Sequence, residues 1–299
     1  MNKVVPLNST LRIISNAAES DVAADDIPDD ETEPLAEKDS AATGTQTVAR
    51  ALNLLRIIGR YNPIGISLTN LAIAAGLTRP TAHRLVTCLV TEGFALKDPF
   101  TRKYDLGVRA FQLGLTTSAF SEVQRVCSAS INRIAAMTND MVCVAIRTGV
   151  DSVPISEVPA SVPVRQLNLR RYGEPAPIGA TPSGVALLAG FTHGQVRTVL
   201  KRNLADPMRR HRSDIKAITA DVEACRRLGY AIRVNYHFAG VAGIAVAVPS
   251  KDCPPFLALS NTSSVDRIDG PRKQFIVDIL KREADDLAFQ LTNHGLIGA

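Results

Sequence analysis

The chain has 299 residues, 45% apolar and 21% charged, with 34 bases against 29 acids and no apolar run near the length of a membrane span; this is the profile of one or two globular domains, not of a bilayer-spanning chain. Its five cysteines, Cys88, Cys127, Cys143, Cys225 and Cys253, are odd in number, scattered and without a C-x-x-C pair, which argues against a disulfide framework or a zinc knuckle and for a cytoplasmic chain with free thiols. The net charge of +5 conceals an asymmetry: residues 19–39 hold ten acids and one base, residues 40–299 hold 31 bases and 19 acids.

Residues 1–44 are acidic and lack aromatics, so they are expected to form a disordered extension. The apolar stretch at the start is broken by Pro6, Asn8 and Arg12 and makes a poor signal peptide. Val48, Ala51, Leu52, Leu55 and Ile58 then fall at helical spacing. A short helix is predicted over 68–75, and Gly76 supplies the turn. Thr78 is placed to cap a third helix, with Pro80 in its first turn and Gly93 at its end. Two β runs, 94–97 and 103–106, flank the turn-forming tip Asp98-Pro99-Phe100-Thr101-Arg102. Helix, helix, turn, helix and hairpin in about 60 residues is the order of a winged helix-turn-helix, here over 45–107.

Beyond Gly107, helical stretches over 108–119 and 121–138 precede strand-like runs at 141–147, 152–157, 162–169, 230–234, 243–248 and 256–260. Helical runs at 183–191, 193–203, 214–228 and 272–292 accompany them. The mixture predicts an α+β second domain over 123–299, joined to the first by a linker helix over 108–122. The run Lys201, Arg202, Arg209, Arg210, His211 and Arg212 reads as a solvated loop.

A helix-turn-helix reads bases from the N-terminal part of its second helix, here Thr78 to Arg84. Arg79, Thr81, His83 and Arg84 are the candidate contacts there. Arg84 has the fork that matches guanine O6 and N7, and Thr81 suits a phosphate or a thymine methyl. Arg102 and Lys103 of the wing, and Gln46 and Arg50 at the start of the first helix, suit phosphates. Nine bases stand against three acids over 40–110. The same face also fits a solvated surface, and a winged domain also fits a protein-interaction module; DNA binding differs from both in weakening steeply with salt.

An enzyme is disfavoured. Gly179 and Gly184 have the spacing of a phosphate loop, but Val185-Ala186 replaces the lysine and hydroxyl that the loop needs. There is no Gly-x-Ser-x-Gly elbow, and the histidines lack metal spacing. No cofactor or metal is implied.

Three stretches, Thr47-Val48-Ala49-Arg50-Ala51-Leu52-Asn53-Leu54-Leu55, Leu68-Thr69-Asn70-Leu71-Ala72 and Gly76-Leu77-Thr78-Arg79-Pro80-Thr81-Ala82-His83-Arg84-Leu85, resemble the IclR family of bacterial transcription regulators. The likeness continues through Glu92-Gly93-Phe94, Gly173-Glu174-Pro175, Ala186-Leu187-Leu188-Ala189, Arg227-Leu228-Gly229-Tyr230 and Gly240-Val241-Ala242-Gly243-Ile244-Ala245, and covers about residues 45–293. The resemblance implies a winged helix-turn-helix, a linker helix and a GAF-like effector-binding domain with a mostly antiparallel sheet. It also implies homodimers or tetramers on palindromic double-stranded operators, and a small organic acid, aliphatic or aromatic, as effector. The family's Gly-Lys-Ala reads Gly184-Val185-Ala186 here.

The resemblance brings Thr181, Pro182, Ser183 and Gly184 together with the stretch from Arg233 to Tyr236 and with Gly243, Ser260 and Thr262; Arg233 is the expected effector-binding residue of the middle stretch, beside the other seven. A helix start attracts anions, Ser260 and Thr262 share one face of a strand, and Arg233 is placed to clamp a carboxylate. Leu106, Phe111, Leu113 and Leu115 are candidates for the dimer contact near the linker.

Overall fold

The structure, a computed structural model, describes residues 43–62, 64–116, 118–161, 173–205, 214–236, 238–251 and 253–296. The acidic extension up to residue 42, the strand expected over 162–169 and the bases at 209–212 lie outside the described residues. The chain divides into two compact units between residues 117 and 118.

The first unit runs α1 (Thr43–Arg60), α2 (Leu68–Ala74), α3 (Arg79–Thr91), β1 (Ala95–Lys97), β2 (Tyr104–Leu106) and α4 (Val108–Leu115). Its core is built by Leu54, Ile57 and Ile58 of α1, Leu71 of α2, and Leu85, Val86 and Leu89 of α3, closed by Ile66, Ala95 and Tyr104. Ser67 caps α2 by accepting the Asn70 N–H at 3.3 Å. Strands of three residues are marginal alone. Ile66 widens the hairpin by exchanging two backbone bonds with Tyr104, at 2.9 and 2.8 Å.

The hairpin's exit is stitched to the end of α3. Gly107 donates to the Phe94 carbonyl, and Arg109 to that of Gly93. A Cβ on Gly107 would lie 2.1 Å from the Gly93 oxygen, so only glycine permits this approach.

The second unit contains α5 (Ser118–Thr138), β3 (Met141–Thr148), β4 (Asp151–Val158), β5 (Ala176–Pro177), α6 (Pro182–Leu188), α7 (His193–Ala205), α8 (Ile215–Leu228), β6 (Ala231–Val234), β7 (Val241–Ala247), β8 (Leu257–Ser264) and α9 (Gly270–Asn293). The strands form one sheet in the order β5-β4-β3-β8-β7-β6, with every pairing antiparallel. The expected linker over 108–122 is not one helix: α4 ends at Leu115, and α5 has begun by Ser118.

The sheet's two faces differ in residue size. Val142, Val144 and Ile146 of β3, Ile244 and Val246 of β7, and Leu257 and Leu259 of β8 build a core with α5 and α9. Side chains alternate across a strand, so the register puts Met141, Thr262 and Gly243 in one row of the opposite face, then Cys143, Ser260 and Ala245, then Ala145, Ala258 and Ala247. That small-residue face is covered in part by α6, whose residues Val185–Leu188 join a second core with α7 and α8. Asp140, at the α5–β3 turn, is 2% exposed and paired with Arg267 at 3.0 Å and Arg272 at 2.9 Å.

Candidate functional site

In the first unit, the buried side of α3 is Ala82, Leu85, Val86 and Leu89. Arg79, His83 and Arg84 are exposed on its other side, and Thr81 is half-buried. Arg79, Arg84 and Arg102 pair with no acid among the described residues, so their charges are available to an anionic partner. Thr87, exposed one turn beyond Arg84, extends this face and was missed in the sequence; its i+3 spacing from Arg84 was the available signal.

Thr78 occupies the N-cap position, but its side chain caps no backbone N–H. Its hydroxyl lies 2.9 Å from that of Thr81. Two facing hydroxyls share one hydrogen between them, which leaves the second O–H to donate outward.

In the wing, Asp98 Oδ1 accepts the N–H groups of Phe100 at 2.9 Å and Thr101 at 2.6 Å. Those bonds, Thr101's first, hold its carboxyl below the usual carboxylate range. The turn they shape places Arg102 at a φ of 59° and leaves Phe100 92% exposed at the tip. Lys103 Nζ donates to the Ile64 carbonyl at 3.3 Å, so that ammonium is partly engaged within the fold. Gln46 and Arg50 are exposed at the start of α1.

In the second unit, a half-open cleft lies on the small-residue face of the sheet. Thr181, Pro182 and Ser183 line it from the start of α6, and Ser260 and Thr262 from β8. Thr181 Oγ1 accepts the Gly184 N–H at 3.1 Å, which ties down the helix start. The Tyr236 and Thr262 hydroxyls are 3.1 Å apart. Gly243 does not line the cleft but makes room for its wall: a Cβ there would meet Pro182 Cγ at 2.8 Å and the Tyr236 hydroxyl at 3.1 Å.

Besides Gly243, two more expected residues need correction. Gly184 does not line the cleft; its N–H serves the cap. Arg233 does not line it either. It stands on the edge strand β6, where Nη1 donates to the Gly179 carbonyl at 2.6 Å and Nε pairs with Asp221 at 3.1 Å. Burial pushes the Asp221 carboxyl up, and Arg233 offsets this only in part. The fork expected to clamp a ligand holds α8 and the turn before α6 instead.

Tyr236, at the end of the expected 233–236 stretch, does line the cleft; sequence reading missed Met141, Cys143, Ala145, Ser152, Pro154, Glu157 and Ala176, which line it too. The register between β3 and β4 shifts between Val144 and Ala145, so Cys143 faces Glu157 while Ala145 faces Pro154. That bulge brings two β4 residues three apart onto one face. Burial pushes the Cys143 thiol up to about 12, with the Glu157 charge adding to the effect. The thiol therefore stays protonated and is a poor nucleophile. Glu157 is exposed, yet partial desolvation against the cleft raises its carboxyl.

No described helix is long and apolar enough to cross a membrane. Residues 47–99 match the family model for the IclR helix-turn-helix domain, and residues 118–289 that for the bacterial transcriptional regulator IclR C-terminal domain. The chain is 25% identical over 245 residues to the transcriptional repressor IclR of Escherichia coli K12, covering 77% of this chain and 85% of that protein. An IclR-type regulator from Silicibacter superposes with a TM-score of 0.67 at 24% identity, over 82% of this chain and 96% of that one. An IclR homolog from Microbacterium hydrocarbonoxydans, solved with 4-hydroxybenzoate, superposes with a TM-score of 0.66 at 22% identity, over 83% and 99% of the chains.

Proposed function

The chain belongs to the IclR family of bacterial transcriptional regulators, and on that premise we propose that it is an operator-binding switch controlled by a small organic acid in the second unit. It is a DNA-binding regulator and not an enzyme.

The observation that carries the effector reading is the cleft, walled by small side chains and by the hydroxyls of Ser152, Thr181, Ser183, Tyr236, Ser260 and Thr262. Hydroxyls in a concave, largely apolar site orient a small polar ligand. The 4-hydroxybenzoate held by the Microbacterium homolog supports an acid of that size. The ligand's carboxylate takes its bonds from these hydroxyls, not from Arg233.

On the DNA side, α3 enters the major groove. Arg84 and Thr81 face base edges and phosphate, Arg79, His83, Gln46 and Arg50 lie along the backbone, and the wing brings Arg102 and Lys103 to phosphates. A palindromic operator calls for a homodimer, with a tetramer as a pair of such dimers. Support comes from α4, which buries none of its residues; Val108, Phe111, Leu113 and Leu115 are each more than half exposed. Leu106 packs on the first unit's core and drops out of that contact. A regulator of this kind works in the cytoplasm.

The acid shifts operator affinity only by binding one dimer geometry better than another. The test is a thermal-shift screen of aliphatic and aromatic acids, since a ligand of the folded state raises its melting temperature. Each hit is then added to a titration of the DNA upstream of the gene. Hits that leave DNA affinity unchanged refute effector control.

A further inference from the structure

Among the described lining residues of the cleft, Glu157 carries the only carboxylate, and none contributes a Lys, Arg or His. No described residue forms a hydrogen bond or ion pair with that carboxylate. It stands on β4, opposite Cys143 of β3, which in turn stands opposite Ser260 of β8. Two strand spacings of about 4.8 Å therefore separate the Glu157 and Ser260 backbones, roughly 10 Å in all. The floor between the two polar ends is Cys143, flanked by Met141 and Ala145. The cleft is thus polar at both ends and mostly apolar between them. Its two ends also differ in kind: hydroxyls both donate and accept, whereas an ionised carboxylate only accepts.

We propose that Glu157 is a second anchor of the effector, so that the cleft selects a small acid carrying a hydroxyl or amino group, with that donor on the Glu157 carboxylate. The proposal rests on the cleft binding an acid and deepens that reading by specifying the ligand's other end. Two costs enforce it. The ligand's carboxylate is repelled by the Glu157 charge, which turns it toward the hydroxyls of Ser260 and Thr262. Glu157 is exposed on its solvent side, so an acid without a donor would press apolar surface against the cleft side of an ionised carboxylate and take part of its water without replacing the bonds. Sites built to hydrogen-bond a substrate group reject the analogue lacking it far more strongly than an apolar pocket rejects a missing methylene.

The test uses the full chain and matched probes: 4-hydroxybenzoate against benzoate, and 4-hydroxybutyrate and 4-aminobutyrate against butyrate. Calorimetric titration compares the wild type with Glu157→Gln and Glu157→Leu. The expected result is that the donor-bearing member of a pair binds the wild type about tenfold more tightly or better. In Glu157→Leu that preference vanishes or reverses, with the donor-free acid bound at least as well as before. Glu157→Gln, near-isosteric and still able to accept, falls between, and unchanged melting curves show that both variants fold. Equal wild-type affinity within every pair, or a preference that survives in Glu157→Leu, overturns the inference while leaving the acid-binding cleft intact. Failure of every probe to bind the wild type overturns the acid-binding reading, and the inference with it.

Discussion

Replacing Gly243 with alanine tests the wall of the cleft directly. The new Cβ would stand 2.8 Å from Pro182 Cγ and 3.1 Å from the Tyr236 hydroxyl. Ordinary contact is about 3.4–4 Å, so Pro182 has to retreat by roughly 0.6 Å or more. Pro182 belongs to α6, whose residues are buried from end to end, so the retreat is resisted by the packing of the second core. Overpacking of this kind costs about 1–3 kcal/mol. Displacing Tyr236 from its 3.1 Å partner Thr262 adds about 1 kcal/mol. For a unit of this size, each kcal/mol lowers the melting temperature by about 2–4 °C. The same movement pushes Pro182 and Tyr236, two lining residues, so ligand affinity falls together with stability. Calorimetric melting and ligand titration on one preparation read both quantities. A variant that melts within about 1 °C of the wild type and binds an acid hit equally well would refute the packing account of this wall.

Four further outcomes are expected. Arg233→Ala lowers stability by about 1–3 kcal/mol, because it orphans Asp221 and the Gly179 carbonyl, yet leaves affinity for an acid hit within about twofold; a large loss of ligand affinity would return Arg233 to the cleft. Arg84→Ala weakens operator binding by about 1–3 kcal/mol and relaxes preference at one base pair, whereas Lys103→Ala, whose ammonium is partly engaged by Ile64, weakens all sequences slightly; gel-shift titrations on operator variants separate the two. Because partial desolvation raises the Glu157 carboxyl, the folded state binds its proton more tightly than the unfolded state, so this residue's contribution to stability falls as pH rises above its ordinary value of 4.5. Melting curves from pH 4 to 8 should show Glu157→Gln gaining on the wild type over that rise, and a constant difference would contradict the assignment. Gly107→Ala, with its Cβ 2.1 Å from the Gly93 oxygen, should unfold the first unit at lower denaturant without changing the second.

The reader unit was legible in the sequence because its determinants are local. Helical periodicity, Gly76, Gly93 and the Asp98 tip each act within a few residues of where they stand, and the hairpin lies within a residue of its expected bounds. Thr78 shows the limit: its place at the helix start was readable, but its bond to Thr81 in place of a backbone N–H was not. The cleft depended on longer-range facts. Ser260 and Thr262 announced their shared face through spacing of two. Cys143 and Glu157 join that face only through the pairing of β3 with β8 and the bulge at Ile155, the β4 residue left without a partner on β3, which no periodicity encodes. Arg233 went astray for the same reason, since Asp221 and Gly179 reach it only after α8 and the turn before α6 have packed on β6. The end of β8 ran four residues past its expected limit because Asn261, Ser263 and Ser264 are polar, although the sheet buries all but the last.

The central claim, that an acid in the cleft changes how the reader unit holds DNA, is tested most directly by the dissociation constant for the upstream operator, with and without a saturating acid hit, at several salt concentrations. Contact with six or more phosphates predicts a loss of about 10³-fold in affinity between 50 and 200 mM salt. At fixed salt, the acid is predicted to shift the constant about tenfold or more, equivalent to about 1.4 kcal/mol of coupling. An acid that saturates the cleft while leaving the constant unchanged at every salt concentration would contradict the account.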